Sequence, residues 1–233
     1  MYTLHIGNKN YSSWSLRPWV LMSVLGIPFT EKLHVFGPAF TGRTDGKSPT
    51  GKVPVLHHEG RVVWDSLAIA EYLADRHGGV WPTDAGARAW ARSAAAEMHS
   101  GFQALRNTCG MNCGIRVKLH AIPDDVRADI DRISHLWTEG ITRFGGPFLA
   151  GPNFGAVDAF FAPVAFRVQS YGLELPPAAA AYVERVLALP AMRRWYAEAL
   201  AEPYRDPPHE AEIAQAGAIL KDLRAPARDT APA

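Results

Sequence analysis

Two short motifs in the first third of the chain combine residue types that can hold a small peptide by its backbone and its charges. Pro54 lies inside an apolar, strand-like run, and Asp65 and Ser66 stand where a helical pattern begins. Pro54 lacks an N–H group and is unsuited to a central strand, while Val53 is held extended. A cis Val53–Pro54 bond would turn the Val53 backbone outward, towards a ligand. The alternative is an edge strand that tolerates a proline.

Two serines precede the first helical pattern of the chain. Ser12 and Ser13 lie just before residues 15–25, an apolar stretch that ends at a glycine, as helices often do. Ser15 is predicted to be the N-cap, because Pro18 is tolerated only in the first turn of a helix. Both earlier serines therefore fall near the positive end of that helix.

Composition and charge exclude several classes of protein. The chain has 233 residues, of which 48% are hydrophobic, and 24 basic and 23 acidic side chains give a net charge of +1. Neither a nucleic-acid footprint nor an apolar run long enough for a membrane span is present. The N-terminus reads as a strand and not as a secretory signal. Two cysteines do not make a disulfide framework, so we expect a cytoplasmic protein.

The first part of the chain alternates between strand and helix patterns. Strands are predicted at residues 2–7, 29–35, 53–57 and 61–63, and helices at 15–25 and 66–76. Residues 36–50, rich in Gly, Pro, Thr and Ser, read as a loop. This order predicts an α+β domain over residues 1–79 with a mixed four-stranded sheet.

From Thr83 onward no convincing strand pattern is present. Helical periods cover residues 83–106, 123–144, 156–171, 177–189 and 191–200. A linker lies near residues 77–82. We therefore predict an all-helical domain over residues 83–223, with a further helix at 210–223, followed by a disordered tail at 224–233.

Four motifs together resemble the cytosolic glutathione S-transferase superfamily over roughly residues 2–200. They are SSWSLR at 12–17, KVPVL at 52–56, DSLAIAEYL at 65–73 and GPNFGAVD at 151–158. The first motif is most similar to the zeta class, a serine-type class with serine, serine, cysteine and serine before the same helix. The resemblance implies a thioredoxin-like N-terminal domain and an all-α C-terminal helical bundle.

The resemblance implies that a hydroxyl group activates the thiol of glutathione. A free thiol has a pKa near about 8.5, and a hydrogen bond donated to the sulfur favours the thiolate. The nearby helix N-terminus adds about 0.3–1 kcal/mol. Ser12 is the first candidate for the donor, Ser13 the second, and Tyr11 a further alternative.

The same resemblance assigns the remaining glutathione contacts. Asp65 suits the ammonium group of the γ-glutamyl end, and Ser66 at a helix start suits its carboxylate, although both residues also suit a plain helix cap. Val53, held by Pro54, should pair with the cysteinyl backbone. Lys52 either reaches the glycyl carboxylate or is a solvated surface lysine.

Trp14 departs from the zeta pattern, which has cysteine at this position. An indole cannot form a mixed disulfide, so thiol-transferase chemistry at this position is excluded. Maleylacetoacetate isomerisation of the zeta type is not favoured for the same reason.

A second stripe of residues suggests where an electrophile would bind. Met98, Phe102 and Arg106 recur at helical spacing, and in the superfamily the matching helix lines the electrophile pocket. With Tyr11 they form the predicted pocket. The alternative is that the stripe is ordinary core.

Three further residues read as structural. Cys109 and Cys113 have helical spacing but no partner His or acid, so no metal site is predicted. Asp158 is expected to cap a buried helix. Gly155 stands where the superfamily has Ser or Thr, so only the Asp158 half of a capping box can form.

Three functions follow from the residues and the resemblance. The leading one is a glutathione transferase acting in detoxification, with glutathione as cosubstrate and a small apolar electrophile as second substrate. The alternatives are a glutathione-dependent isomerase and a non-catalytic glutathione-binding protein. The resemblance also implies a homodimer in which the first domain of one chain packs on the helical domain of the other.

Overall fold

The computed structural model describes residues 1–37 and 47–227. In the first domain these form β1 (Tyr2–Gly7), α1 (Ser13–Val24), β2 (Phe29–His34), β3 (Val55–His58), β4 (Arg61–Val63) and α2 (Ser66–Ala74). The sheet order is β2-β1-β3-β4; β1 and β2 are parallel, and the other pairs are antiparallel. The mixed four-stranded sheet is confirmed. Much of the predicted loop at 36–50 lies outside the described residues.

The sheet is held by a continuous apolar face against α1. Leu4 and Ile6 of β1 and Leu56 of β3 are fully buried, as are Leu16 and Val20 of α1. Leu4 stands directly opposite Leu56 in the antiparallel pair. Burying such side chains stabilises a fold by about 1.5–3 kcal/mol each, which fixes α1 and its N-terminus relative to the strand ends.

Helix α1 begins earlier than predicted. Ser12 is the N-cap, because its carbonyl accepts the first helical hydrogen bond from the N–H of Leu16 (3.2 Å). The prediction that Ser15 is the N-cap is therefore wrong. Pro18 lies inside the helix and not in its first turn. The helix gives up one internal hydrogen bond there and continues to Val24.

The second domain is mainly helical. Its elements are α3 (Ala85–Ser100), α4 (Gln103–Thr108), β5 (Ile115–Leu119), α5 (Asp124–Phe144), α6 (Ala156–Tyr171), α7 (Pro177–Ala188), α8 (Pro190–Ala201), α9 (Pro207–Ala216) and β6 (Gly217–Asp222). Helix α6 is buried along almost its whole length and packs against α1, α3 and α7. It therefore packs against elements of both domains.

A two-stranded antiparallel ribbon departs from the expected all-helical domain. Strands β5 and β6 pair, and β6 replaces the second half of the helix predicted at residues 210–223. Ile115 and Val117 of β5 are buried on one side, a period-two pattern. The two strands are about a hundred residues apart in the chain, so no hairpin turn signals their pairing.

The predicted helix at residues 83–106 is two helices. Helix α3 ends at Gly101, where an added Cβ would lie 2.8 Å from the carbonyl oxygen of Glu97. Phe102 then has a positive φ of 58° before α4 begins. Residues on the two sides of this break consequently do not share one helix face.

The predicted disordered tail is wrong at its first residue. The side chain of Arg224 is only 2% exposed and forms ion pairs with Glu210 and Asp222. These pairs fasten the end of β6 to α9. Residues 228–233 of that predicted tail lie outside the described residues, and the domain boundaries stay predictions.

Within the described ranges, no helix combines the length and apolar character needed to cross a membrane.

Candidate active site

Two cavities share the wall formed by Trp14, Lys52 and Val53. One has a volume of about 430 Å³ and is completed by Thr50, Pro54, Trp64 and Asp65; we call it the Asp65 cavity. The other has a volume of about 510 Å³ and is the Arg167 cavity. Its further lining includes Tyr11, Ser12, Ser13, Gln103, Arg106 and Arg167. Volumes in this range suit small-molecule ligands.

Val53 lies two residues before the start of β3 and lines both cavities. The Val53–Pro54 peptide bond is cis. Strand β3 begins at Val55 and lies between β1 and β4, so the alternative of an edge strand is wrong. Pro54 precedes the paired residues and removes no hydrogen bond from the sheet.

The start of α2 forms the polar end of the Asp65 cavity. One Asp65 carboxylate oxygen accepts a hydrogen bond from the N–H of Leu67 (3.0 Å), and the other lies 3.3 Å from Nε2 of His99. Ser66 is fully buried, and its hydroxyl has no hydrogen-bond partner in the described part of the chain. A buried hydroxyl without a partner is costly, and Ser66 follows the lining residue Asp65 without lining the cavity itself.

His99, on α3, links this site to the helical domain. Burial lowers the pKa of its imidazole, and Arg17 and Arg106 lower it further, while Asp65 opposes them. The imidazole ring also meets Trp14 edge-on, with ring centroids 5.1 Å apart. His99 therefore connects the ligand-facing carboxylate to the Trp14 wall.

Both candidate serines are buried and line the Arg167 cavity. The Ser12 hydroxyl donates to Oγ of Ser15 (2.7 Å), which also accepts from the N–H of Gly7 (3.1 Å). Ser13 is the first residue of α1, and its hydroxyl makes no hydrogen bond to a described residue. Both hydroxyl groups therefore lie beside the positive end of the helix. The ranking of Ser12 before Ser13 as the donor to a thiol stays a prediction.

Tyr11 also lines the Arg167 cavity, but its hydroxyl is engaged elsewhere. It donates to Oε1 of Glu210 (2.7 Å) and accepts from Arg224 (3.2 Å). Burial, followed by the hydrogen bond to Glu210, raises the pKa of the phenol. These contacts hold the α9–β6 segment over the cavity and leave the hydroxyl unsuited to activating a thiol.

Arginine side chains surround the indole of Trp14. The guanidinium carbon of Arg17 lies 4.1 Å from the ring centroid, and that of Arg106 lies 4.6 Å away. Arg17 is 1% exposed, and its Nε and Nη1 have no partner among the described residues. Arg167 is 4% exposed and donates through Nε to the carbonyl of Cys109 (2.8 Å).

Met98 and Phe102 are not brought to the site. Met98 is fully buried in the core, and Phe102 is buried against Phe161 with ring centroids 6.5 Å apart. The predicted single helix ends at Gly101, and the positive φ of Phe102 turns α4 away from the axis of α3. The predicted stripe therefore does not form one pocket wall. Of the predicted electrophile pocket, only Tyr11 and Arg106 line the Arg167 cavity.

The two cysteines are free and buried. Burial raises the pKa of Cys109 to about 11 and raises that of Cys113 further. Both thiols are consequently poor nucleophiles at neutral pH. In the ranges that the structure describes, no group of three or more His, Cys, Asp or Glu side chains has the arrangement of a metal site.

Asp158 lies at the start of α6, and its carboxylate is fully buried. It accepts hydrogen bonds from the N–H groups of Gly155 and Leu149 (3.0 Å each) and from the hydroxyl of Tyr182 (2.9 Å). Burial raises the pKa of Asp158 to about 6, against these three hydrogen bonds. The Asp158 half of the capping box therefore forms.

Sequence reasoning missed Arg17, Arg167 and His99. The first two are single charged residues within apolar helices, each buried in α1 or α6. A charge at a core position of a hydrophobic helix is a signal that could have identified them. His99 falls in the same helical stripe as Met98 and Phe102, but its contact with Asp65 depends on how α3 meets α2.

Residues 11–76 match the family model described as glutathione S-transferase, N-terminal domain. The match covers most of the first domain and shows which family that domain is similar to. Its matched stretch contains Ser12, Ser13, Val53, Asp65 and Ser66. Two relatives of this domain and several solved structures extend the similarity beyond residue 76.

Among curated relatives, glutathione S-transferase 1 of Dianthus caryophyllus is 27% identical over 174 residues, which cover 70% of this chain and 77% of that protein. A probable maleylacetoacetate isomerase of Caenorhabditis elegans is 27% identical over 141 residues, which cover 56% of this chain and 62% of that protein.

Solved structures confirm the fold. A glutathione transferase homologue from Burkholderia, crystallised with bound glutathione, has a TM-score of 0.65 at 24% identity and covers 85% of this chain and 97% of its own. A diazinon-metabolizing glutathione S-transferase of Bombyx mori has a TM-score of 0.68 at 17% identity, with the same two coverages of 85% and 97%. Together the comparisons support the cytosolic glutathione S-transferase superfamily.

Proposed function

We propose that this protein is a glutathione transferase that activates the glutathione thiol for attack on a small electrophile with an apolar body. The observation that carries the proposal is the shared wall at Val53. On one side lie groups suited to hold glutathione, and on the other lie two serines at the N-terminus of α1. A peptide lying across Val53 would therefore place its central residue beside the serines.

Glutathione binding is assigned to the Asp65 cavity. The Asp65 carboxylate takes the ammonium group, and the buried, unpaired Ser66 hydroxyl takes the γ-glutamyl carboxylate. The backbone of Val53, placed by Pro54, pairs with the cysteinyl residue. Lys52, on the shared wall, is the candidate for the glycyl carboxylate.

Thiol activation is assigned to Ser12, with Ser13 second. Either hydroxyl can donate to the sulfur, and the N-terminus of α1 adds about 0.3–1 kcal/mol in favour of the thiolate. Ser15 supports Ser12 by holding its hydroxyl in place when no thiol is bound. The thiolate then attacks the electrophilic carbon, a carbon–sulfur bond forms, and the leaving group departs with the electron pair.

A second candidate is a glutathione-dependent isomerase. The Caenorhabditis elegans relative named as a probable maleylacetoacetate isomerase favours it. Trp14 argues against a zeta-like version, because the cysteine of that class is absent. A non-catalytic role is disfavoured because the candidate glutathione contacts and both serines are present together.

The superfamily resemblance also supports a cytoplasmic homodimer with a role in detoxification. The buried free thiols of Cys109 and Cys113 fit a reducing compartment. Gel filtration with light scattering should give twice the chain mass of 25.5 kDa. A monomer over the whole concentration range would contradict the dimer.

Steady-state conjugation tests the proposed function. We expect glutathione to displace chloride from para-(chloromethyl)benzamide faster with the enzyme than without it. Ser12→Ala and Ser13→Ala should lower kcat, by on the order of 10²-fold for the residue that contacts the sulfur. Ser93→Ala, at an exposed serine of α3 outside both cavity linings, is the control and should change kcat little. Conjugation at the uncatalysed rate in the wild type would contradict the proposal.

A further inference from the structure

Three buried or half-buried arginines near the Arg167 cavity form no ion pair with an acidic side chain among the described residues. Arg106 donates only to the carbonyls of His99 and Gly101 (3.3 Å each), and Arg167 donates only to that of Cys109. Arg17 has two guanidinium nitrogens without any partner in the described ranges. Fully buried arginine is rare unless it is paired, so an unpaired group of three requires an explanation.

The three charges act on one another. Arg106 and Arg167 both lower the pKa of Arg17, and Arg106 lowers that of Arg167, in each case after burial as the main cause. Arg106 and Arg167 also line the same cavity, so an anion bound there lies beside both guanidinium groups. A ligand with negative charge would relieve both the repulsion and the unmet hydrogen-bonding capacity.

The surrounding groups leave this part of the cavity positive. Lys52 lines the same cavity and adds a further cation. The lining acid is Glu212, which is solvent-exposed on α9, and His209 lies near it on the same helix. Glu210 is already paired with Arg224. None of these acids is recorded in contact with Arg106 or Arg167.

The cavity also offers an apolar surface beside the cations. The indole of Trp14 and the side chain of Met111 line it. An apolar body can pack against Met111 and the edge of the indole while a substituent at its far end reaches the guanidinium groups. Arginine is well suited to that substituent being a carboxylate, because its planar fork binds both oxygens at once.

We propose that the second substrate of this enzyme carries a carboxylate that binds Arg106 and Arg167, with its apolar body against Trp14. Arg17 does not line the cavity and contributes positive potential from behind the indole. The assignment rests on the proposed transferase function and replaces the purely apolar electrophile expected from the sequence. It concerns binding, so it can be tested without any turnover.

Equilibrium binding of a matched acid and amide is the first measurement. Calorimetry on the full chain should show para-nitrobenzoate binding about tenfold to a hundredfold more tightly than para-nitrobenzamide, since a charge-assisted hydrogen bond contributes about 1.5–3 kcal/mol. The preference should shrink as salt is added. Equal binding of the two compounds would overturn the assignment.

Three variants locate the effect. Arg106→Gln should abolish the preference for the acid, and Arg167→Lys, which keeps the charge but loses the fork, should reduce it. Arg143→Gln is the matched control, because that side chain is 57% exposed, pairs with Glu139 and lies outside the cavity lining. A preference that survives both Arg106→Gln and Arg167→Lys would overturn the assignment.

The glutathione affinity of the variants tests one further possibility, that the arginines bind glutathione and not the second substrate. If the arginines instead held a carboxylate of glutathione, Arg106→Gln would weaken glutathione binding as strongly as para-nitrobenzoate binding, and this result would also overturn the assignment. We expect the glutathione affinity of Arg106→Gln to stay within about twofold of the wild type, well below the tenfold that 1.4 kcal/mol represents.

Kinetics with a matched pair separates this proposal from the function it rests on. The thiolate displaces chloride from para-(chloromethyl)benzoate or para-(chloromethyl)benzamide, and each rate is divided by its uncatalysed rate. We expect the acid to have the higher normalised kcat/KM, and Arg106→Gln to remove that advantage. Catalysis of the amide without preference for the acid would overturn the carboxylate assignment alone. Tight binding of para-nitrobenzoate without catalysis would overturn the transferase and support the anion site.

Discussion

Two buried charged regions of the molecule differ in how far their charges are satisfied. Asp158 at the start of α6 receives three hydrogen bonds, from Gly155, Leu149 and Tyr182. Arg17 and Arg167, on neighbouring helices, receive no acidic partner from the described chain. The hydrogen bonds that satisfy a buried charge order the fold locally, whereas buried charges without partners are expected where a ligand completes the site.

Removing the satisfied charge should have the largest effect on stability. Asp158→Ala leaves two N–H groups and one hydroxyl buried without an acceptor, so we expect a loss of about 3–5 kcal/mol in the free energy of unfolding. Urea denaturation measures it. Asp158→Asn, which keeps one acceptor oxygen, should lose less. A loss below about 1 kcal/mol in Asp158→Ala would contradict the structural role.

Removing an unsatisfied charge should raise the free energy of unfolding instead of lowering it. Arg17→Met replaces a buried, unpaired cation by an apolar side chain of similar length, and we expect the free energy of unfolding to rise by about 1–2 kcal/mol. The same variant should lose affinity for para-nitrobenzoate. Destabilisation comparable to that of Asp158→Ala would mean that Arg17 is an ordinary structural residue and would remove the contrast between the two regions.

The pH dependence of stability gives a second test of how the buried carboxylate of Asp158 contributes to the fold. The pKa of Asp158 is about 6 in the folded protein, above its ordinary value of 3.8. Between these values the folded state binds more protons than the unfolded state, so this group makes stability fall as pH rises from about 4 to about 6. Asp158→Asn should lack this contribution. Denaturation curves of both proteins across that range measure the difference.

A smaller effect, on glutathione affinity, is expected from a substitution at Ser66. Ser66→Ala removes a hydroxyl that is buried and unpaired in the described part of the free protein. Glutathione should bind about threefold to tenfold more weakly, because a single neutral or charge-assisted hydrogen bond is lost. Thermal stability should be unchanged or slightly higher. Unchanged glutathione affinity with lower stability would instead assign Ser66 to helix capping alone.

The Asp65 cavity could be predicted from the sequence because its residues come mainly from two neighbouring segments. Val53 and Pro54 stand just before β3, and Asp65 is the N-cap of α2, so local turn and cap chemistry places these residues. The identity of α1 as a helix was also predictable. Its start was not, since Ser12 rather than Ser15 accepts the first helical hydrogen bond.

The Arg167 cavity could not be predicted in the same way. Its walls come from α1, α4, α6 and α9, and their meeting depends on tertiary packing. Gly101 breaks the helix that would have carried Met98 and Arg106 on one face. The β5–β6 ribbon likewise pairs distant segments. The sequence does contain one signal of this cavity, because an arginine lies inside each of two apolar helices.

The thiol pKa of bound glutathione tests the central claim most directly. Titration of the thiolate by its ultraviolet absorbance should give a pKa below the ordinary value of about 8.5 in the wild type. In Ser12→Ala the pKa should return towards that value, with Ser15→Ala as a control for the hydroxyl that supports Ser12. A retained shift in Ser12→Ala would move the donor role to Ser13. An unshifted thiol in the wild-type complex would contradict the assignment of this protein as a glutathione transferase.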